Sequence, residues 1–441
     1  MSFSLTEQGG VFDTLTQPDG KFLVGGEFHF AEGVSRRYLA RYNADGNFDA
    51  GFDTNRDISI VQSIGLQTDG KIIVASGGLS VILQRLNANG NWDTSFAQIF
   101  VPFSASIQAR TRITTVLVQP DNKILVGGKL ITGSATSPTL SGLVRLNADG
   151  TRDTTFQIVF ARGGTTYVND IALQPDGKVV IGGDFTNIAN DTSFRYLARV
   201  NADGTTDTSY NPPPPPSPIA VINEIELQPD GKIVYGGNFD FLLRVNANGT
   251  PDSFNVPVNN SVEALAIQPS GKILVGGVFT EIGGATRKRI ARLNNNGSVD
   301  TGFNVSANNT VYDISLQTVG KILVGGQFTR INNQSRIAAA RLIDAASRTP
   351  FDFDGDGKAD VSLFRPTEGI WYLLQSTNGF TAFQFGLTDD KPTPADYDGD
   401  GKTDAAVFRN GVWYILKSAG GTSIIQFGLT NDIPIASAFV P

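Results

Sequence analysis

From Val168 the run VNDIALQ alternates apolar and polar positions and stops at Pro-Asp-Gly. KVVIGGDF follows as a second run, RYLARVN as a third and TTDTSY as a fourth. A period of two with no helical period predicts strands. Proline presets φ for the first turn and glycine takes the left-handed position at its close. Ala-Asp-Gly makes a second turn of the same chemistry. The unit reads as an antiparallel meander of four short strands.

The unit recurs. Aligned on the lysine after the first turn, its copies fall at Lys21, Lys71, Lys123, Lys178, Lys232, Lys272 and Lys321, 40–55 residues apart. A second phrase follows each, as in RYNADGNFDAGF from Arg41, RLNADGTRDTTF from Arg145 and RVNANGTPDSF from Arg244. The seventh, RLIDAASRTPF from Arg341, lacks both the Asn-Gly turn and the aspartate. Such a period signals a propeller or related array, with one meander per blade. A phosphate loop is excluded, because it needs a turn opening a helix with Ser or Thr after the lysine.

Gln-Pro-Asp-Gly-Lys, Gly-Gly-x-Phe and Arg-Leu-Asn-x-x-Gly-x-x-Asp-Thr-x-Phe together resemble the delta-60 repeats of bacterial extracellular proteins. That family is similar to WD40-type propellers in blade layout. The expectation is an all-β chain in which residues 1–346 form a seven-bladed β-propeller of four-stranded antiparallel blades. The amino-terminal strand, MSFSL, would complete blade seven and close the ring. Turn geometry sets Arg41 opposite Asp49, Arg145 opposite Asp153 and Arg199 opposite Asp207. These pairs read as a structural ladder, at about 0.2–1 kcal/mol each, in preference to a ligand-binding ring. Both tight turns lie at one end of a blade. The other end carries links of variable sequence, including AQIFVPFSASIQARTR (residues 97–112) and the polyproline run NPPPPPSP (residues 211–218). A protein or glycan partner would bind there, since variable loops on a rigid scaffold carry binding residues.

After Arg348 the pattern changes. DFDGDGKAD (residues 352–360) returns 44 residues later as DYDGDGKTD (residues 396–404). Aspartates at loop positions 1, 3, 5 and 9 place hard oxygen donors around one cation, with position 7 offering its backbone carbonyl and its lysine side chain pointing outward. The loops resemble those of FG-GAP or VCBS repeats, the blade type of integrin α-subunit propellers. Carried over by position, the ligands are Asp352, Asp354, Asp356, the Lys358 carbonyl and Asp360, then Asp396, Asp398, Asp400, the Lys402 carbonyl and Asp404. Two structural Ca²⁺ ions are implied, in a small all-β module of two repeats over residues 347–441. Two repeats cannot close a propeller. DIPIASAFVP looks like a cap, and self-association through these repeats is open. Trp371, Tyr372, Trp413 and Tyr414 read as core, or alternatively as a sugar platform.

Composition narrows the function. With 441 residues, a net charge of −7 and a pI near 4.9, the chain has no broad attraction for nucleic acid or anionic lipid. No apolar run reaches membrane-spanning length, so no membrane insertion is expected. Cysteine is absent, which excludes disulfides and thiol chemistry. Loops of this calcium type usually require millimolar calcium, which argues for an extracellular or cell-surface location, although MSFSLTEQGG does not read as a signal peptide. The reading is a binding, adhesion or scaffold protein. The alternative is a carbohydrate-active or other hydrolytic propeller using loop-face carboxylates. Its candidates are Glu27, Glu32, Asp184, Asp191 and Glu281, among which no spacing singles out a pair. His29 is the one histidine and reads as incidental.

Overall fold

The computed structural model describes the chain except residues 1–4, 6–8, 32, 55–57, 78–81, 98–111, 135–136, 161–166, 189–193, 214–219, 318–319, 344–349, 357, 399–401, 431 and 435–441. Among the described residues every named element is a strand. Two compact units result: Met1–Ser315 with Leu323–Arg341, and Leu316–Ile322 with Leu342–Pro441.

In the first unit each repeat builds one antiparallel sheet. In repeat four, Val168–Leu173 pairs with Val179–Gly183, which pairs with Leu197–Val200. The Pro-Asp-Gly turn closes when the Gly177 N–H donates to the Gln174 carbonyl, with Gly177 at φ 81°. The middle strand is buried at every position, because neighbouring sheets cover both of its faces. Each Val or Ile enclosed this way contributes about 1.5–3 kcal/mol. The apolar clusters lie between successive repeats. One joins Leu125 and Leu143 of repeat three to Val179 and Ile181 of repeat four. Another joins Leu323, Ala338 and Ala339 of repeat seven to Val11, Phe22 and Val24 of repeat one.

Most of these sheets have three strands, not the expected four. After the Asn-Gly turn the chain makes a single bridge, such as Val200 with Thr206 or Tyr42 with Phe48, and then leaves the ladder. The two-residue spacing from aspartate to aromatic is the reason. Asp207 accepts the Ser209 N–H on its side chain, and the Tyr210 N–H donates to the Asp207 carbonyl, so the segment folds as a turn. Repeat five has one residue fewer between aspartate and aromatic (Asp252, Phe254). There Asp252 still accepts the N–H two residues on, that of Phe254, yet Pro251–Pro257 runs on as a full fourth strand.

The glycine pair of each repeat is a matter of space. A Cβ on Gly182 would stand 2.7 Å from Ile222 of the next repeat. One on Gly183 would stand 2.0 Å from the Tyr167 carbonyl oxygen, where a bulge between Val168 and Asp170 presses backbone against backbone. Gly183→Ala should cost about 1–3 kcal/mol by overpacking. Gly51→Ala, facing only a carboxylate oxygen at 3.4 Å, should stay within about 0.5 kcal/mol. Urea midpoints measure both, and equal midpoints would contradict the steric account.

The expected closing strand lies almost wholly outside the described residues. Within it Leu5 is buried, bridges Ala31 of repeat one and donates its N–H to the Ile337 carbonyl of repeat seven. The long link after Ala97, most of the polyproline run and the supposed cap from residue 435 are also outside the described residues.

The second unit has a three-stranded sheet (Val361–Arg365, Ile370–Gln375, Gly379–Gln384) and a four-stranded one (Lys391–Pro392, Ala405–Arg409, Val412–Leu416, Thr422–Gln426). They share a core of Phe353, Trp371, Leu373, Ala405 and Val407. Of the four aromatics expected inside, only Trp371 is fully buried, its indole N–H donating to the Phe385 carbonyl. Tyr372 sits at the edge, bonded to Glu368 and stacked with Arg365. Trp413 and Tyr414 are half-buried. Phe380, Ile424, Phe427 and Leu429 are exposed.

Candidate metal centre

Each acidic loop of the second unit folds its aspartates inward. In the first, one carboxylate oxygen from each of Asp352, Asp354 and Asp356 lies within 4.8 Å of the others. The turn at Ser376–Asn378 closes over them. Asp356 accepts the Ser376 and Thr377 hydroxyls at 2.5 and 2.6 Å, and Asp354 accepts the Thr377 and Asn378 N–H groups. Those two hydroxyls hold the Asp356 carboxyl down at about 2, so it is ionised throughout the physiological range. Asp360 falls outside this trio. It accepts N–H groups from Phe353, Asp354 and Ser376, and so braces the loop. Lys358 carries an exposed ammonium 3.6 Å from Asp356, so its charge turns back towards the loop and not away from it.

The second loop gathers Asp396, Asp398 and Asp404 in the same way, while Asp400 is outside the described residues. Asp404 also accepts from Tyr397 and Ser418, and so both braces and joins its trio. The side chain of Lys402 does not point outward. Its aliphatic stem lies over Gly355 of the first loop, and the Thr403 N–H donates to the Asp352 carbonyl at 2.6 Å. The two loops are thus one connected structure. Calcium–oxygen distances of about 2.3–2.6 Å put opposed donors about 4.8 Å apart. Both trios, made of hard anionic oxygens, fit that span.

The repeated residues of the first unit are consumed in bracing. Arg199 Nε lies 2.8 Å from Asp207, and its guanidinium stacks 4.5 Å from the Tyr210 ring centroid. One amino group bonds Gln174 and the Ala247 carbonyl in the next repeat's turn. Lys178 meets the same aspartate at 2.8 Å. The expected pairs Arg41–Asp49 and Arg145–Asp153 are also present at 2.8 Å. Arg41 and Arg145 likewise reach Ala88 and Ala202 of the following repeats. Arg341, though it has lost its aspartate, bonds the Ala44 and Asp45 carbonyls of repeat one. The ladder expected within each blade therefore also joins blades.

This arrangement agrees with the family comparison. The model of a "domain of unknown function (DUF5122) beta-propeller" matches residues 17–52, 67–96, 119–156, 174–210, 228–254, 268–303 and 320–342, more than half the chain. The chain belongs to the DUF5122 β-propeller family. An FG-GAP-like repeat matches residues 352–433, which contain both acidic loops. The DUF5122 chain is similar in fold to the extracellular domain of the one-component system BT4673 from B. thetaiotaomicron. Identity is 13% and the TM-score 0.54, over 95% of this chain and 53% of that one. A second structure of that extracellular domain, described as a hybrid two-component system, gives 14%, 0.52, 95% and 52%. The chain thus spans about half the length of those domains. No curated protein matches it closely enough to lend it an activity.

On the variable side of the DUF5122 propeller, Lys288, Arg289, Asn308, Arg330 and Asn333 line a groove of about 380 Å³. Of the loop-face acids, Glu27 and Glu281 are exposed, and Asp184 accepts the Tyr167 N–H at 2.9 Å. Glu32 and Asp191 are outside the described residues. The three-acid clusters found among the described residues are both in the tail loops.

Sequence reading missed a different set of acids. Asp13, Asp170, Glu224 and Asp313 stand on the first strands of repeats one, four, five and seven, each four residues before the turn glutamine. That fixed offset was the available signal. Three of them are staples: Asp13 accepts the Ile64 N–H, Asp170 that of Ile225, and Asp313 that of Thr14, each in the following repeat.

Proposed function

We propose that this chain is an extracellular or cell-surface binding or scaffold protein. Its seven repeats close through the contacts of repeat seven with repeat one, and calcium holds the loops of its tail. The observation that carries the reading is the gathering of three carboxylates in each acidic loop. Like charges this close repel unless a cation sits among them. The bracing role of the repeated residues leaves the variable links as the recognition surface. The groove around Lys288, Arg289 and Arg330 suits an acidic glycan or an acidic peptide. An extracellular neighbour in fold, and the absence of a helix long and apolar enough to cross a membrane among the described residues, are compatible with this location.

Calorimetric titration of calcium into chelator-treated protein should give two equivalents per chain. Asp352→Asn and Asp396→Asn should each remove one. At calcium ten times Kd each site adds about 1.4 kcal/mol to the stability of the tail, read as a midpoint shift reversed by chelator. No uptake of calcium would refute the tail reading. Turnover on a glycosidase and lyase panel, lost on replacing one loop acid, would overturn the binder reading.

A further inference from the structure

Repeats six and seven carry matching links on the variable side, FTEIGGATRKRIAR from Phe279 and FTRINNQSRIAAAR from Phe328. Each begins with a short hairpin, Glu281–Ile282 with Ala285–Thr286 and Arg330–Ile331 with Gln334–Ser335. The segment joining the repeats is tied to both links. The Ala307 N–H donates to the Lys288 carbonyl at 3.1 Å, and the Asn308 N–H to the Arg330 carbonyl at 3.2 Å. Backbone thus fixes the groove between them, and Lys288, Arg289 and Arg330 line it with Thr280, Ser306 and Asn333.

The fold does not ask for these cations. Ile337 and Ala338 of repeat seven take the places of Lys288 and Arg289, and Glu281 of repeat six takes that of Arg330. Arg289 and Ala338 share one left-handed backbone, at φ 68° and 59°. Nor does the protein use them: among the described residues no ion pair, hydrogen bond or ring engages the Lys288 ammonium or either guanidinium. The ladder arginine of the same repeat, Arg292, instead lies 2.7 Å from Asp300. Arg289 is half-buried, so part of its hydration is lost without replacement. In a chain of net charge −7, three unpaired cations along one groove of about 380 Å³ describe a site for an anion.

Resting on the binder reading, we propose that this groove holds an acidic sugar by its carboxylate. Guanidinium groups grip a carboxylate through paired N–H bonds, and the Lys288 ammonium adds charge. The hydroxyls of Thr280 and Ser306 and the Asn333 amide supply neutral partners for ring hydroxyls. Ala307 is the one apolar residue among the described lining, so an acidic peptide would find no pocket for its other side chains. The volume lies towards the small end of ligand clefts, which span about 300–1,000 Å³, and suits a short sugar segment.

Calorimetry of trigalacturonate and of sialyllactose with the full chain tests this, in chelator so that no metal bridges sugar and protein. Saturable binding of at least one is expected, weakening as salt rises. Arg289→Ala and Arg330→Ala should each weaken it about tenfold or more. Ala338 shows that this backbone accepts alanine, and thermal midpoints check that both variants fold. Arg289→Lys should fall between. Arg152→Ala, which removes an exposed arginine of repeat three, should bind as wild type does. The methyl ester of the bound sugar, and a glutamate tripeptide, should bind about tenfold more weakly or worse. Equal affinity for the ester or the tripeptide would overturn the proposal, as would unchanged affinity in both alanine variants or no binding of either acidic sugar. Binding of a neutral oligosaccharide in that last case would leave the binder reading standing, whereas hydrolysis of a probe would overturn that reading instead.

Discussion

Replacing Arg199 by alanine should lower the unfolding free energy of the propeller by about 3–5 kcal/mol, the cost of breaking a buried ion pair from one side. The side chains of Arg199 and Asp207 are only 9% and 7% exposed. The change also removes the bond to the Ala247 carbonyl of repeat five and the stacking on Tyr210. Lys178 would remain beside Asp207, which places the expected loss towards the lower end of that range. Arg199→Lys keeps the charge but loses the planar fork that serves aspartate, glutamine and carbonyl at once, and should fall between alanine and wild type. Lys178→Ala, at a site one-third exposed, should cost about 0–1 kcal/mol. Urea unfolding of the four proteins orders them. A midpoint for Arg199→Ala equal to that of Lys178→Ala would show that the bridge is no stronger than a surface pair.

Stability should pass through a maximum on the acidic side of neutrality. Burial, reinforced by mutual repulsion, pushes the inner carboxyls up: Asp170 and Glu226 to about 7, Asp313 to about 6, and Asp13 and Glu224 well above the ordinary range. In the unfolded chain such groups titrate near 4. Between about pH 4 and 7 the folded protein therefore holds more protons than the unfolded one, and stability falls as pH rises. The ladder aspartates act in the opposite sense. Burial alone would raise them, but hydrogen bonds prevail, foremost from Ser95 at Asp93 and Thr155 at Asp153 and from lysine and arginine elsewhere, holding Asp252 and Asp300 at about 2 and lowering Asp49, Asp93, Asp153 and Asp207. Their contribution is present above about pH 4 and lost below it. In chelator, the propeller's thermal midpoint should rise by roughly 5–10 °C from pH 8 to pH 5 and drop again below pH 4. A midpoint climbing steadily from pH 5 to 8 would contradict the assignment of protons to these inner carboxyls.

How far the sequence revealed this molecule depended on how local the chemistry was. The eight-residue offset from Arg199 to Asp207 predicts a pair because an Asn-Gly turn fixes register within one hairpin. The acidic loops were equally legible, since all their donors lie within nine residues. The fourth strand misled because the Tyr210 N–H bonds back to the Asp207 carbonyl, turning the chain where a period of two suggests extension. Asp170 and Glu224 escaped notice because a bulge shifts each from the alternation, and because their meaning lies in neighbours more than 50 residues away. Bonds from Arg199 to the next repeat were hidden for the same reason.

Six of the seven braces pair an arginine with an aspartate. Arg341, whose sequence lacks the aspartate at that offset, holds repeat one by two carbonyl contacts from a half-buried position. The seam between the last and first repeats is thus held by a different set of bonds from the other junctions, and amide hydrogen exchange should tell it apart from them.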